Sequence, residues 1–264
     1  MSEPIDYLST DFHYNGKAIF SAKQLGVFSY DSKKGHLEMG CANLKYVYEG
    51  FMNRKLNIDL TQGIHKQIEK WRSESLDKVF DWLLNSYDEG SSLEEVKCLE
   101  FQNNFLVLMQ ALNGCEFVSR RGPMSRIAIS PYIWQSLNDK SQKLACVKYN
   151  DVIFIREFTR PDGEDDKSNW NTFVQKASFA GRKFEQLITM DEPEGGEPDT
   201  TAPVDPNPEL DGIFKANLIV EGRSLNIFYG CEFDALRASD GKFIELKTQL
   251  KFVGFGKYFS FKAL

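Results

Sequence analysis

The chain has 264 residues, 42% hydrophobic and 27% charged, with 21 Phe, 10 Tyr and 4 Trp, which is enough apolar and aromatic material for one sizeable folded unit. Its formal charge of −6 argues against a histone-like binder held to polyanions by long-range attraction, and leaves a nucleic-acid enzyme open. Five scattered cysteines, Cys41, Cys98, Cys115, Cys146 and Cys231, contain no Cys-x-x-Cys pair for zinc or redox chemistry; they read as buried packing residues in a reducing compartment.

The opening stretch MSEPIDYLST has neither the basic start nor the apolar run of a signal peptide, and no segment approaches the roughly 20 apolar residues that span a bilayer. The expected location is the nucleus, the cytoplasm or both, with no membrane partner. Further along, Leu76, Val79, Phe80, Leu83, Leu84 and Tyr87 recur at helical spacing and predict an amphipathic helix over 76–87. A second helix is predicted at about 97–112, stopped by Asn113-Gly114. The stretches 115–129 and 143–158 favour extended structure, the second as a hairpin turning at Tyr149-Asn150-Asp151. A third helix is predicted over about 169–188, with Trp170, Phe173, Val174, Ala177, Gly181, Phe184 and Ile188 on one face and Glu185 at its border.

Acidity concentrates in DGEDDK at 162–167 and in the run from Asp191 to Glu209, which holds seven acids, five of the nine prolines and no Lys or Arg. The second run reads as an exposed, poorly ordered loop at about 191–210 between two ordered halves. Beyond it GIFKANLIV, SLNIFYGCEFDAL and KFIELKTQLKF, separated by the turn-like EGRS and RASDGK, predict an antiparallel meander.

The last of these segments carries Glu245 and Lys247 two positions apart, so in a strand they share one face while Ile244 and Leu246 take the other. A half-solvated edge strand with an incidental charge pair explains that pattern equally well. The middle segment repeats it with Glu232 and Asp234. If hairpin pairing brings the two faces together, the carboxylates repel and raise one another's pKa unless a cation neutralises them, and hard oxygen donors suit Mg²⁺ or Mn²⁺. An acid on one strand and Glu-x-Lys on the next is the pattern of PD-(D/E)xK metal-dependent nucleases. There metals hold the scissile phosphate and acidify a water, while a cation steadies the nucleophile or the added charge. Glu232, Asp234 and Glu245 are the candidate ligands and Lys247 the cation.

GRKFE with Glu185, then GCEFD, then FIELKT, in that order and with an acidic linker between the first two, resembles the DXO-type decapping exoribonucleases. Upstream, FVSRRGPMSRIAISPY at 117–132 resembles the segment where that family keeps an Arg-Gly pair, so the matches span roughly 115–262. The resemblance implies a single domain over 1–264 of mixed α/β (α+β) class, a largely antiparallel sheet core with flanking helices in a DXO-like nuclease fold. It further implies two divalent metals held by Glu185, Glu232, Asp234, Glu245 and the main-chain carbonyl of Leu246. Lys247 would stand beside the attacked phosphate and Arg121 would contact the RNA backbone near its 5′ end. The implied substrates are RNA 5′ ends: incomplete or atypical caps, NAD-type caps among them, or triphosphate ends, with 5′-to-3′ degradation afterwards and a 5′-to-3′ exonuclease as a protein partner.

Three departures bear on that expectation. Arg182 stands where the family has an aromatic in its Gly-aromatic-Lys-Phe-Glu motif, and Arg120 replaces an aromatic before the Arg-Gly pair. Family members also continue past the equivalent of Leu264 into a helix bearing a substrate-facing Gln, so the chain reads as a C-terminally truncated version, with Phe255, Phe259 and Phe261 expected to form an apolar patch and cleavage expected to be slow. The alternative function is a catalytically weak or inactive relative that binds RNA ends or a protein; a DNA nuclease of the same superfamily is a third. His13, His36 and His65 have no metal-ligand spacing, and GFGK at 254–257 lacks the spacing of a phosphate loop and reads as a bend.

Overall fold

The computed structural model describes residues 18–51, 58–70, 76–88, 112–133, 144–157, 172–253 and 256–263. In chain order the strands are β1 (Ala18–Asp31), β2 (His36–Met39), β3 (Tyr46–Val47), β4 (Phe117–Arg120), β5 (Leu144–Tyr149), β6 (Val152–Glu157), β7 (Thr189–Met190), β8 (Pro208–Val220), β9 (Arg223–Phe233), β10 (Ala235–Arg237), β11 (Lys242–Ile244), β12 (Leu246–Val253) and β13 (Gly256–Ala263). Among the described residues the helices of eight or more residues are α1 (Asp77–Asp88), α2 (Arg121–Ile133) and α3 (Thr172–Ile188). A seven-stranded sheet in the order β2-β1-β8-β9-β4-β6-β5 forms the centre. Beside it lie a four-stranded sheet, β11-β10-β3-β7, and the β12–β13 pair. The class is therefore mixed α+β with mostly antiparallel pairing; β4 alone runs parallel to both of its neighbours, β9 and β6.

Local chemistry explains the elements that sequence periodicity anticipates. In α1 the apolar stripe puts Val79 and Leu83 into the core, and Asp77 in the first turn complements the helix dipole. The hairpin of β5 and β6 turns on Asn150 (φ 45°) and Asp151 (φ 63°), two residues whose short polar side chains tolerate the left-handed region. Helix α1 covers the central sheet through Phe28, Val79, Trp82, Leu83, Val118, Ile213 and Phe228. Its close approach requires two glycines: a Cβ on Gly26 would stand 2.5 Å from the Trp82 ring, and one on Gly230 would stand 2.9 Å from Val79. Gly26 also follows the bulge that leaves Leu25 unpaired between β1 and β8.

Several expectations are corrected. Residues 121–133 are helical, against the extended structure expected through 129, because the strand stops after four residues and Pro123 falls in the first helical turn, where no hydrogen bond is lost to its missing N–H. The run from Asp191 is, over 191–203, a largely exposed stretch without helix or strand, but its end is anchored: Val204 and Asn207 are buried, the Val204 carbonyl accepts from the Ile68 N–H at 3.0 Å, and 208–210 already belong to β8. The meander is broken, since β9 pairs with β8 and β4, while β10–β11 and β12–β13 lie in other sheets. Among the described side chains of α3 the most buried are Phe179, Ala180, Lys183, Leu187 and Ile188, so over 175–188 the face is rotated from the expected one, with Gly181 and Phe184 half-buried; Trp170 and the side chains of Phe173 and Val174 lie outside the described residues. Cys115 and Cys231 are buried, whereas Cys41 and Cys146 are exposed. The expected 97–112 helix lies outside the described residues apart from its last position, as do the bend at Gly254-Phe255 and the side chains of Phe259 and Phe261.

Beneath the sheet surface lies a charged lattice. Glu209 and Asp211, both on β8, have wholly buried side chains; Lys70 reaches Glu209 at 3.1 Å, and Lys78 of α1 pairs with Glu209 and lies 3.7 Å from Asp211. Arg120, the last residue of β4, pairs with Asp211 at 2.6 Å. Removing one partner of such a pair leaves an uncompensated buried charge, so Arg120→Leu is expected to cost about 3–5 kcal/mol of folding free energy. Urea unfolding of the variant measures this, and a loss below about 1 kcal/mol would mean the pair is dispensable.

Candidate active site

The site forms at two breaks between strands, with helix α3 packed over them. Asp234 sits at the break between β9 and β10, and Glu245 at the break between β11 and β12. The two breaks face each other: the Asp234 N–H donates to the Ile244 carbonyl at 3.3 Å, and the Leu246 N–H donates to Asp234 Oδ2. Helix α3 packs over this point through Leu187 and Ile188 against Leu246, which directs Glu185 toward the same region. Glu232 comes from β9, opposite Asp211 in the register of β8 and β9, and so adjoins the buried lattice.

Arg121 is the first residue of α2, immediately after Arg120. The consecutive arginines serve different carboxylates: Arg120 is buried on Asp211, whereas Arg121 grips Glu245 with both terminal nitrogens, Nη1 to Oε2 at 2.6 Å and Nη2 to Oε1 at 2.7 Å. Lys247 also pairs with Glu245 Oε1. Arg120 thus ties the end of β4 to β8 from inside the fold. Arg182 is half-buried on α3, and its charge acts on Glu185.

The acids are strongly perturbed. Burial, then the charges of Asp234 and Glu232, pushes Glu185 from the usual 4.5 up to about 8. Burial and the neighbouring Glu209 raise Glu232 to about 7, with Lys70 working in the opposite sense. Burial and Glu245 raise Asp234 to about 6, against the lowering effect of the Leu246 N–H. Such clustering of raised acids marks functional sites.

A divalent metal fits the donor set by chemistry: hard oxygen donors, buried together, repelling one another and so stabilised by a cation. As the side chains stand, no group of three or more His, Cys, Asp or Glu among the described residues is placed to hold a metal ion. The reason is visible in the contacts, since Glu245 is turned to Arg121 and Lys247, and Asp234 to the Leu246 N–H. Sequence reasoning missed Glu209 and Asp211, although they repeat the acid-x-acid spacing of Glu232 and Asp234; the signal was hidden by Asp211-Gly212, which looks like a turn.

A fold of this kind, with acids and a lysine meeting at two strand breaks, points to the PD-(D/E)XK nuclease class. More particularly, the chain belongs to the RAI1-like PD-(D/E)XK nuclease family, whose model matches residues 21–263. Among curated relatives it is 26% identical over 236 residues to decapping nuclease dom-3 of Caenorhabditis elegans, covering 87% of this chain and 54% of that protein. It is 24% identical over 147 residues to the decapping and exoribonuclease protein Rai1 of Drosophila melanogaster, covering 51% of this chain and 36% of that one. Among solved structures, Rai1 of Candida albicans in complex with pU5-Mn²⁺ superposes with a TM-score of 0.64 at 14% identity, over 88% of this chain and 58% of that one. Rai1 of Scheffersomyces stipitis in complex with (3′-NADP)⁺ and calcium ion gives 0.62 at 18%, over 88% and 59%. The chain thus spans about half or less of the curated relatives it matches.

The raised acids make a stability prediction. Their folded-state pKa values lie above the ordinary ones, so the folded state holds extra protons, and the stability they contribute is full below about pH 4.5 and is lost as pH rises through about 8. In chelator, the melting temperature should therefore fall from pH 5 to pH 8, less steeply in Glu185→Gln, and Mn²⁺ should flatten the fall in the unaltered protein. Equal slopes for the variant and the unaltered protein would remove Glu185 from the cluster.

Proposed function

We propose that this chain is a divalent-metal-dependent nuclease acting on RNA 5′ ends, hydrolysing incomplete, NAD-type or other atypical caps or 5′-triphosphate ends, with 5′-to-3′ degradation of the exposed strand to follow. The observation that carries this reading is the meeting of Glu185, Asp234 and Glu245 with Lys247 and Arg121 at two facing strand breaks. The decapping names of the curated relatives and the ligands of the Rai1 complexes support the substrate class. RNA quality control in the nucleus or cytoplasm, alongside a 5′-to-3′ exonuclease partner, is the setting that follows.

Glu185, Glu232, Asp234 and Glu245 with the main-chain carbonyl of Leu246 would hold the ions, Mg²⁺ or Mn²⁺ and two in number, whose chemistry when bound is to polarise the phosphate and acidify a water. The chain's own residues supply the rest. Lys247 brings an ammonium to the charge that builds on phosphorus. Arg121 offers a planar fork whose parallel donors suit a backbone phosphate as well as they suit Glu245. The hold of Arg121 and Lys247 on Glu245 also favours the second reading, a weak or inactive member that binds RNA ends, because both Glu245 oxygens are already engaged.

Incubation with triphosphate-, NAD- and guanosine-capped RNAs, with and without Mg²⁺ or Mn²⁺, tests the proposal; release of 5′-end products only with metal is expected. No product from any of the three RNAs in either metal would favour the binding module. Two variants then separate ligand from charge. Glu245→Gln should abolish metal binding and activity together, whereas Lys247→Ala should keep its metal and lose about two to three orders of magnitude in rate. Near-normal turnover in Lys247→Ala rejects the role given to the ammonium.

A further inference from the structure

Helix α3 has a second polar side that the acidic site does not use. Lys183 lies two positions before Glu185, and residues so spaced point roughly 200° apart around a helix, so its ammonium leaves on the far side from Glu185. Lys183 is only 8% exposed. Its Nζ donates to Gln186 Oε1 and to the Thr200 carbonyl, both at 2.8 Å. An ammonium has three donors, and both of these acceptors are neutral. Lys183 looks into a cavity of about 400 Å³ whose other walls include Gln62, Gly63, Lys66, Phe179 and Thr201.

Among the described residues, no carboxylate forms an ion pair with Lys183 or with Lys66. The acid beside the lining Thr200 is Asp199, whose Oδ1 already accepts from the Thr201 N–H, the Thr201 hydroxyl and the Ala202 N–H. Lys183 hydrogen-bonds only neutral acceptors, Asp199 offsets part of its charge without pairing with it, and the space in front of the ammonium is open to a ligand. Two ammoniums match the charge of a phosphate monoester better than that of a carboxylate. The volume exceeds what an inorganic anion needs and suits a nucleotide-sized body, with Phe179 as an apolar wall.

We propose that this cavity is a phosphate-binding subsite, separate from the acidic site across α3, in which Lys183 and Lys66 hold the phosphate group of a nucleotide. The group can belong to a free mononucleotide or to a nucleic-acid strand. The subsite stands apart from the reading of the acidic cluster and holds whether or not the chain cleaves RNA.

The test is a calorimetric titration of the whole chain in EDTA, which keeps divalent metal out of the acidic site, with inorganic phosphate, AMP and a 5′-phosphorylated RNA pentamer. AMP should bind more tightly than phosphate. Lys66→Glu alters an exposed residue whose side chain makes no buried ion pair, and should weaken AMP at least roughly tenfold, about 1.4 kcal/mol. Lys183→Met should do the same where it folds, as judged by its melting temperature, and Lys66→Glu decides alone where it does not. A pentamer that binds more tightly than AMP and is equally sensitive to Lys66→Glu assigns the phosphate to a strand; similar affinities assign it to a mononucleotide. Absence of AMP binding in the unaltered chain, or AMP affinity unchanged in Lys66→Glu, overturns the proposal.

Discussion

The ion pair of Arg120 with Asp211 is the constraint on which most of the arrangement depends. Asp211 is fully buried in the middle of the central sheet, where an isolated carboxylate would be prohibitively costly, so β8 can occupy that place only if β4 and α1 deliver cations to it. Arg120 fixes the end of β4, and the next residue, Arg121, begins α2 and faces Glu245. One buried pair therefore sets where the arginine that grips Glu245 starts. Glu209 adds a second tie to Lys70 and Lys78, and the cross-strand pairing of Asp211 with Glu232 carries the lattice to the border of the acidic site.

That arrangement gives the acidic site an electrostatic tension of its own. Three cations, Lys70, Lys78 and Arg120, face two lattice anions, Glu209 and Asp211, so an ionised Glu232 would balance the charge locally. Nearer the surface Arg121 and Lys247 hold Glu245, and the cluster turns anionic only as Glu185 ionises. The buried lattice is thus near neutrality with Glu232 ionised, while the charge of the acidic cluster depends on the protonation of Glu185.

What the sequence disclosed, it disclosed through period and punctuation. Helices α1 and α3, the hairpin at Asn150-Asp151 and the turn at Glu221-Gly222 were legible because apolar spacing and left-handed turn residues are local signals. Helix α2 was not legible, since its β-branched and proline-containing sequence has little periodicity of its own and follows a strand only four residues long. The breaks at Asp234 and Glu245 were invisible too, because alternation of apolar and charged residues runs straight through both, and only tertiary pairing decides where a strand ends. The site residues were readable as motifs, yet their mutual contacts were not: nothing in the spacing of Arg121 and Glu245 announces a bidentate pair between positions 124 apart.

The pairing of β1 with β8 has a consequence for how the chain reaches its folded state. Ala18 meets Val220 and Asp31 meets Pro208, so about 180 to 200 residues separate the two halves of the longest ladder in the central sheet. Closing so large a loop costs entropy before any contact rewards it, and topologies dominated by such pairings fold slowly. At a synthesis rate of about 5–20 residues per second, β1 leaves the ribosome roughly 10–40 s before β8 exists. During that interval its hairpin with β2 covers only one edge, over Phe28 to Asp31, and the strand with its apolar Ile19, Phe20, Val27 and Phe28 is the segment a holding chaperone would be expected to engage first.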